Sequence, residues 1–252
     1  MQVPPGFTLH ILEEASSTND ICLALADAGA PDGTVVFTHH QTAGKGRQGR
    51  EWFSRPGSSL TFSLLLRLSI EELGLLSRFS LLGCSAMVDV LAQYYPLQGL
   101  IKWPNDVIVH GKKICGVLME ALWRGQALQA VILGMGVNLA RDAYPPEAAL
   151  RYPATSLEAE TGFAPQPLEL LENLLITLDQ TRKNLVTDDF IHAKNAQLAF
   201  RGEWVMLEEN TGAPRRVGLL EIDQDGGLWV EAEDGSRSKV YAGELSDGSS
   251  SS

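Results

Sequence analysis

The sequence predicts an α+β fold, in which a mostly antiparallel sheet is covered by helices and followed by a small β module. Short β-branched segments separated by turn residues occupy much of the first 140 positions. Longer segments with helical spacing lie between and after them. The final fifth of the chain is β-rich and is punctuated by Asp225-Gly226-Gly227 and Asp234-Gly235, which suggests a small barrel.

The first half of the chain alternates between strand and helix signals. Residues 7–13, 34–40 and 60–68 are predicted strands. Residues 16–20 offer a helix N-cap, and Gly29 ends the helix that follows. Ser69 and Glu72 resemble a capping box, which predicts that a long helix begins there and ends at Pro96.

The second half predicts further strands, two helices and a separate C-terminal unit. Strands are expected at 100–103, 106–110, 114–123 and 127–139, and helices at 169–185 and 189–199. We therefore expect one domain over residues 1–200 and a small β-barrel domain over residues 201–246. Residues 247–252 are rich in Gly, Ser and Asp and are expected to form a disordered tail.

Composition limits the possible classes of function. The formal net charge of −11 argues against binding to a nucleic-acid backbone. No apolar run approaches the roughly 20 residues that span a bilayer, so no membrane association is expected. The N-terminus lacks signal-peptide features, and the three cysteines form no CxxC pattern, which together favour a reducing cytoplasm. The five histidines show no ligand spacing, so no metal site is expected.

A basic glycine-rich loop is the first candidate site: Gly44-Lys45-Gly46-Arg47-Gln48-Gly49-Arg50. It contains a GxGxxG pattern, but a dinucleotide site also needs a helix directly after the loop and an acidic residue about 20 positions later. Neither follows here, so that interpretation is rejected. Glycines let a backbone approach a ligand closely, and arginines donate charge-assisted hydrogen bonds to phosphate. The loop therefore predicts a phosphate-binding site, with a solvated basic turn as the alternative.

A second candidate site is Lys102-Trp103-Pro104-Asn105-Asp106, followed by Gly111-Lys112-Lys113-Ile114-Cys115-Gly116. A hairpin between the two segments would bring Asp106 and Lys113 together. Taken alone, Asn105-Asp106 is more typical of a turn than of catalysis, and Trp103 is more typical of a core.

These motifs together resemble the biotin–protein ligases in order and spacing, over residues 7–245. Besides the two candidate sites, the resemblance rests on Ser17-Thr18-Asn19, on Gln41-Thr42-Ala43 before the loop, on Trp52, on Gly134-Met135-Gly136-Val137-Asn138 and on Thr155-Ser156-Leu157. It implies a catalytic domain with a mixed sheet, an SH3-like C-terminal barrel, and biotin, ATP and Mg²⁺ as ligands. It also implies transfer of biotin to a lysine of a biotin carboxyl carrier protein, a subunit of acetyl-CoA carboxylase or a related enzyme.

The resemblance implies site roles residue by residue. The expected catalytic residues are Lys113, Arg47 and Asp106. Asp106 is a candidate to position the carrier lysine or accept its proton. The expected biotin-binding residues are Ser17, Thr18, Gln41, Gly44, Arg47, Lys113 and Gly116. The expected nucleotide-binding residues are Arg47, Arg50, Trp52, Asn105 and Asn138.

The sequence departs from the family at two places: Lys45 stands where arginine is usual, and Ser58-Ser59-Leu60 replaces Gly-Asn-Leu. The first strand is predicted by residue 7, so no helix-turn-helix and no DNA binding are expected. A homodimer is possible. Two alternatives stay open: a lipoate ligase or octanoyltransferase, whose thioester would form on Cys115, and a biotin sensor without turnover. Cys115 lies in a predicted buried strand and is more typical of a core residue.

Overall fold

The computed structural model describes residues 2–146, 149–210 and 212–246. The first nine strands are β1 (Thr8–Ala15), β2 (Thr34–Gln41), β3 (Gly44–Lys45), β4 (Glu51–Trp52), β5 (Ser59–Leu66), β6 (Gly99–Lys102), β7 (Asp106–Val109), β8 (Lys112–Arg124) and β9 (Ala127–Asn138). The helices are α1 (Thr18–Asp27), α2 (Leu76–Tyr94), α3 (Leu157–Thr161), α4 (Pro167–Arg182) and α5 (Asp188–Ala196). The C-terminal strands are β10 (Trp204–Glu208), β11 (Arg215–Ile222), β12 (Leu228–Glu231), β13 (Arg237–Val240) and β14 (Glu244–Ser246).

The central sheet has seven strands in the order β1-β2-β5-β9-β8-β7-β6. β1 and β2 are parallel because α1 connects them as a crossover. The other neighbours are antiparallel. β3 and β4 form a separate two-stranded ribbon within the basic loop. The prediction of a mixed, mostly antiparallel sheet is confirmed.

Helices cover both faces of this sheet, which explains why its central strands are apolar at consecutive positions. Val36 and Leu65 pack with α1 in a small cluster on one face. Phe37 and Leu64 belong to the main core on the other face, which includes much of α2 and α4. α2 packs against α4 as well as against the sheet.

One helix prediction needs correction, and one short helix was missed. The long helix begins at Leu76 rather than at Ser69. Glu72 does accept a hydrogen bond from the Ser69 N–H at 2.8 Å, as a capping box requires. However, its carboxylate also binds Arg182 on α4, at 2.8 and 3.0 Å, and the segment forms a turn anchored to that helix. The short helix α3 was not predicted, and Ser156 caps it by accepting from the Ala159 N–H at 3.2 Å.

The β-rich C-terminal segment forms a five-stranded antiparallel sheet in the order β13-β12-β11-β10-β14. Its apolar side chains, such as Leu207 and Val217, are continuous with the main core. An SH3-like barrel and a domain boundary at residue 200 stay predictions. The predicted tail, residues 247–252, lies outside the described residues. Within the described residues, no helix is long and apolar enough to cross a membrane.

Candidate active site

A cleft opens between the central sheet, the basic loop and the C-terminal sheet. Most of the residues predicted to bind ligands line it, although they come from widely separated parts of the chain. These lining residues are Ser17, Thr18, Gln41, Arg47, Arg50, Trp52, Asn105, Asp106, Lys113 and Gly116. The cleft also contains residues to which the sequence assigned no role, among them Asn19, Lys102 and Glu244.

The inner end of the cleft is a polar network around the first residues of α1. Thr18 donates to Gln41 Oε1 through both its backbone N–H, at 2.8 Å, and its hydroxyl, at 3.1 Å. Ser63 on β5 donates to Thr18 Oγ1 at 2.7 Å and lies 2.5 Å from Asn19 Oδ1. Asn19 Nδ2 in turn donates to Glu120 on β8 at 2.6 Å. These buried amides and hydroxyls are thus held in fixed orientations, which suits a neutral polar ligand.

Glycines on β8 and β9 give the cleft a flat floor on which the Trp52 indole lies. A Cβ at Gly136 would come 2.4 Å from Trp52 Cε2, and one at Gly116 would come 3.0 Å from Trp52 Cζ3. Only glycine allows this approach of ring to sheet. Trp52 Nε1 is buried and has no hydrogen-bond partner among the described residues.

The β7–β8 hairpin places a cation beside a carboxylate. Lys113 Nζ lies 2.7 Å from Asp106 Oδ1 as an ion pair, so the predicted proximity of these residues is confirmed. A bulge between Val107 and Ile108 shifts the register at this point. The Lys113 backbone is anchored separately, because its N–H donates to Pro153 O at 2.7 Å and its carbonyl accepts from Thr155 at 2.8 Å.

Arginines of the basic loop reach the cleft from its other side. Arg47 Nη1 donates to Asn105 Oδ1 at 3.2 Å, while Asn105 Nδ2 donates to Val117 O at 2.6 Å. Burial lowers the pKa of Arg47, although nearby Asp106 opposes this effect. Arg50 forms an ion pair with Glu244 of the C-terminal sheet, and this contact raises its pKa. The C-terminal sheet therefore contributes a carboxylate to the cleft.

Lys102 is the functional candidate that the sequence left without a role. It is only 2% exposed, and its Nζ lies 4.2 Å from the centroid of the Tyr152 ring. Burial lowers its pKa, and the charges of Asp106 and Glu244 oppose that shift. A lysine at the end of a strand and directly before Trp103 is unusual for a core position, and this is the signal that could have identified it.

Two predicted ligand-binding residues are not among the described residues that line the cleft. Gly44 pairs with Trp52, and a Cβ there would lie 2.5 Å from Trp52 O and 2.9 Å from Gln41 Nε2. Asn138 Nδ2 donates to Thr155 O at 2.9 Å, and so supports the segment that anchors Lys113. Gly44 therefore packs against two residues that line the cleft, whereas Asn138 acts on the cleft only through the segment that anchors Lys113. The direct ligand roles of both residues stay predictions.

Comparisons with known proteins agree with this arrangement. A model of the biotin/lipoate A/B protein ligase family matches residues 12–138, about half of the chain and nearly all of the central sheet. The chain belongs to this family. A biotin–[acetyl-CoA-carboxylase] ligase of Paracoccus denitrificans is 35% identical over 93% of this chain and 98% of its own length. A bifunctional ligase/repressor BirA of Bacillus spizizenii is 31% identical over 91% and 71%.

Among solved structures, the biotin protein ligase of Aquifex aeolicus in complex with biotin and ATP is similar over 95% of this chain and 97% of its own. The TM-score is 0.79 and the sequence identity is 28%. The similarity thus extends through the C-terminal sheet, which the family model does not reach.

Cys115 bears on which acyl group this ligase family member transfers. Its side chain is fully buried in the main core, whereas the next residue, Gly116, lines the cleft on the opposite face of β8. Burial raises the pKa of Cys115, so the nucleophilic thiolate is disfavoured. The thioester alternative therefore lacks an accessible nucleophile at this position.

Proposed function

We propose that this protein is a biotin–protein ligase. It forms biotinyl-5′-AMP from biotin and ATP and transfers biotin to a lysine of a biotin carboxyl carrier protein. The observation that carries the proposal is that one cleft contains both kinds of group. The polar network around Thr18 and Gln41 lines it, and so do the cationic side chains of Lys113 and Arg47. Similarity to a ligase solved with biotin and ATP supports the same ligands.

The polar inner end suits the ureido ring of biotin, which carries both N–H donors and a carbonyl acceptor. The Ser17 hydroxyl makes no side-chain cap hydrogen bond to α1 within the described structure, so it can face a ligand. Ser17, Thr18 and Gln41 then bind the ring. The glycine floor at Gly116 lets the ligand lie against the sheet, in the space beside the Trp52 indole.

The cationic end suits the first chemical step. A biotin carboxylate oxygen attacks the α-phosphorus of ATP, a new O–P bond forms, and pyrophosphate leaves with the electrons of the broken bond. Two anionic groups must approach each other, so positive charge at this point stabilises the developing transition state. Lys113, Arg47 and Arg50 supply that charge, and Mg²⁺ enters with ATP as part of the substrate.

The second step needs a neutral amine. With a reference pKa near 10.4, only about 4 in 10,000 lysine side chains are neutral at pH 7. The amine attacks the biotinyl carbonyl carbon, the C–N bond forms, and AMP leaves. Asp106 positions the amine and accepts its proton, once its ion-pair partner Lys113 has turned toward the phosphate.

The proposal includes the surroundings of the reaction. The carrier is a carboxylase subunit, because the Paracoccus relative is named for acetyl-CoA carboxylase. A cytoplasmic location is supported by the three cysteines, which are all buried and free. Residues 1–200 would form the catalytic domain, and residues 201–246 a small barrel that completes the cleft through Glu244.

One assay separates this function from its alternatives. The protein is incubated with labelled biotin, ATP, Mg²⁺ and a biotin carboxyl carrier domain, and a parallel tube contains lipoate. We expect release of pyrophosphate and labelling of the carrier lysine with biotin alone. Labelling by lipoate but not by biotin would show that the acyl group is wrong. Biotin binding without pyrophosphate release would identify a sensor.

A further inference from the structure

A turn of the C-terminal sheet, residues 223–227, is fastened to the start of α2. Arg78 donates two hydrogen bonds to Gln224. Its Nε donates to the backbone carbonyl at 2.8 Å, and its Nη2 donates to the side-chain Oε1 at 3.0 Å. The Ser77 hydroxyl donates to the carbonyl of Asp225. Inside the turn, Asp225 Oδ1 accepts from the Gly227 N–H at 3.0 Å, which fixes its shape.

The same turn contacts the catalytic segment. Trp103 is 2% exposed, and its indole Nε1 donates to the carbonyl of Gly226 at 3.2 Å. Trp103 lies directly after Lys102 and two residues before Asn105, and all three line the cleft. The position of this indole therefore helps to set the positions of the side chains on both sides of it.

Gly226 leaves little freedom in this contact. Its φ of +81° favours glycine, and a Cβ there would lie 2.6 Å from Ser77 Oγ and 2.7 Å from Ser77 Cβ. Gly235 provides a natural comparison in the same sheet. It also follows an aspartate and has a φ of +82°, but no atom of the described residues lies within 4 Å of a Cβ built there.

We propose that the turn at residues 223–227 positions Lys102 and Asn105 for adenylate formation by holding Trp103 through Gly226. The inference rests on the proposed function and assigns to the C-terminal sheet a positioning role at the reaction centre, in addition to the carboxylate of Glu244. Gly226 and Trp103 act here as positioning residues. The polar network around Thr18 is held by its own hydrogen bonds to Gln41 and Ser63, and we expect it to retain its geometry.

The test compares Gly226→Ala with Gly235→Ala in the full chain. Both changes introduce the same backbone strain, so we expect similar losses of melting temperature from that source. Only Gly226→Ala pushes the turn away from Ser77 and Trp103. We expect it to lower kcat for biotinyl-AMP formation by about tenfold to a hundredfold. The Kd for biotin alone should change by less than about twofold, which shows that the rest of the cleft is intact.

A double-mutant cycle identifies the route of the effect. Trp103→Phe keeps a ring in the core but loses the N–H, and we expect a similar fall in kcat. If the turn acts through Trp103, the kcat of the double variant should lie within about twofold of the lower of the two single-variant values. If the losses in kcat of the two single variants instead multiply in the double variant, the turn acts independently of Trp103 and the inference is overturned. Should Gly226→Ala fail to fold, a normal kcat for Trp103→Phe would overturn it too.

The outcome for the wild type separates the two proposals. If the wild type makes no biotinyl-AMP, the proposed function fails, and the inference that depends on it fails as well. If the wild type is active and Gly226→Ala has the same kcat as Gly235→Ala, the function stands and the positioning role is wrong.

Discussion

Lys113 Nζ and Asp106 Oδ1 lie 2.7 Å apart across the β7–β8 hairpin, so a cation and a carboxylate neutralise each other within the cleft. Both side chains are largely shielded from solvent, which strengthens their attraction. An incoming phosphate competes with Asp106 for Lys113. The pair can therefore link the two proposed steps, because binding of ATP frees the carboxylate that later meets the carrier lysine.

The first prediction concerns the cation of this pair. Lys113→Ala removes a preorganised charge beside the reacting phosphate, and we expect pyrophosphate release to fall by about 10²–10³-fold. Lys112→Ala is the matched control, because Lys112 is the preceding residue of β8 and is exposed. Its rate should stay within about twofold of the wild type. Equal rates for both variants in folded protein would exclude the role of Lys113.

The second prediction concerns the carboxylate. Asp106→Asn keeps the size of the side chain but cannot accept a proton, so we expect transfer to the carrier to slow by about 10²-fold. Adenylate formation should be affected less than transfer. The two steps are measured separately, by pyrophosphate release and by single-turnover transfer from preformed biotinyl-AMP. Asp142→Asn, at an exposed ion pair with Arg55, is the control. Unchanged transfer in Asp106→Asn would remove this carboxylate from the mechanism.

The third prediction uses the buried lysine to separate stability from function. Lys102 is only 2% exposed, and burial lowers its pKa although the charges of Asp106 and Glu244 oppose that shift. Lys102→Met should therefore raise the free energy of unfolding by about 1–3 kcal/mol, because an apolar side chain of similar length avoids the cost of removing an ammonium charge from water. The same change should raise the KM for ATP. A less stable variant with normal ATP use would mean that Lys102 is structural.

The local parts of the site could be predicted from sequence. The glycines and cations of the loop from Gly44 to Arg50 are adjacent in sequence, so the loop could be recognised as a candidate phosphate site without knowledge of the fold. The proximity of Asp106 to Lys113 follows from a short hairpin. Strand order beyond neighbours is harder, but alternating strand and turn signals were sufficient for the mostly antiparallel sheet.

Long-range partners could not be predicted in this way. Asn19 and Glu120 lie 101 residues apart in sequence and meet only because α1 packs on the sheet. The pair of Arg50 and Glu244 requires the C-terminal sheet to close the cleft. Similarly, the start of α2 was misplaced because Glu72 binds Arg182 on a later helix, and a single sequence does not reveal that contact.

The fourth prediction tests the alternative acyl chemistry. Cys115→Ser places a hydroxyl in the main core, so we expect a loss of about 1–3 kcal/mol in unfolding free energy. The rate of carrier labelling at a permissive temperature should not change, because Gly116 and not Cys115 lines the cleft. Cys84 lies in the same core, so Cys84→Ser should also lose stability and keep its rate of carrier labelling. Complete loss of labelling in folded Cys115→Ser, but not in folded Cys84→Ser, would restore the thioester mechanism.

The last prediction concerns the acid dependence of the contact between the basic loop and the C-terminal sheet. Burial raises the pKa of Glu244, but the hydrogen bond from Arg50 and the charges of Lys102 and Arg50 outweigh it, so the pKa lies below the ordinary 4.5. A carboxyl whose pKa is lower in the folded state stabilises the fold above its unfolded pKa. That contribution is lost as the pH falls through the folded value.

Glu244→Gln should therefore be less stable than the wild type by about 1 kcal/mol near pH 7, since only the charged side chain forms the full ion pair with Arg50. The difference should shrink as the pH falls below about 4.5, because protonation then removes the same charge from the wild type. Urea unfolding of both proteins between pH 7 and pH 3 measures this difference in unfolding free energy. Glu233→Gln, at an exposed and longer ion pair with Arg216, should show almost no difference at any pH. A deficit in Glu244→Gln that stays constant down to pH 3 would mean that packing, rather than charge, holds the basic loop to the C-terminal sheet.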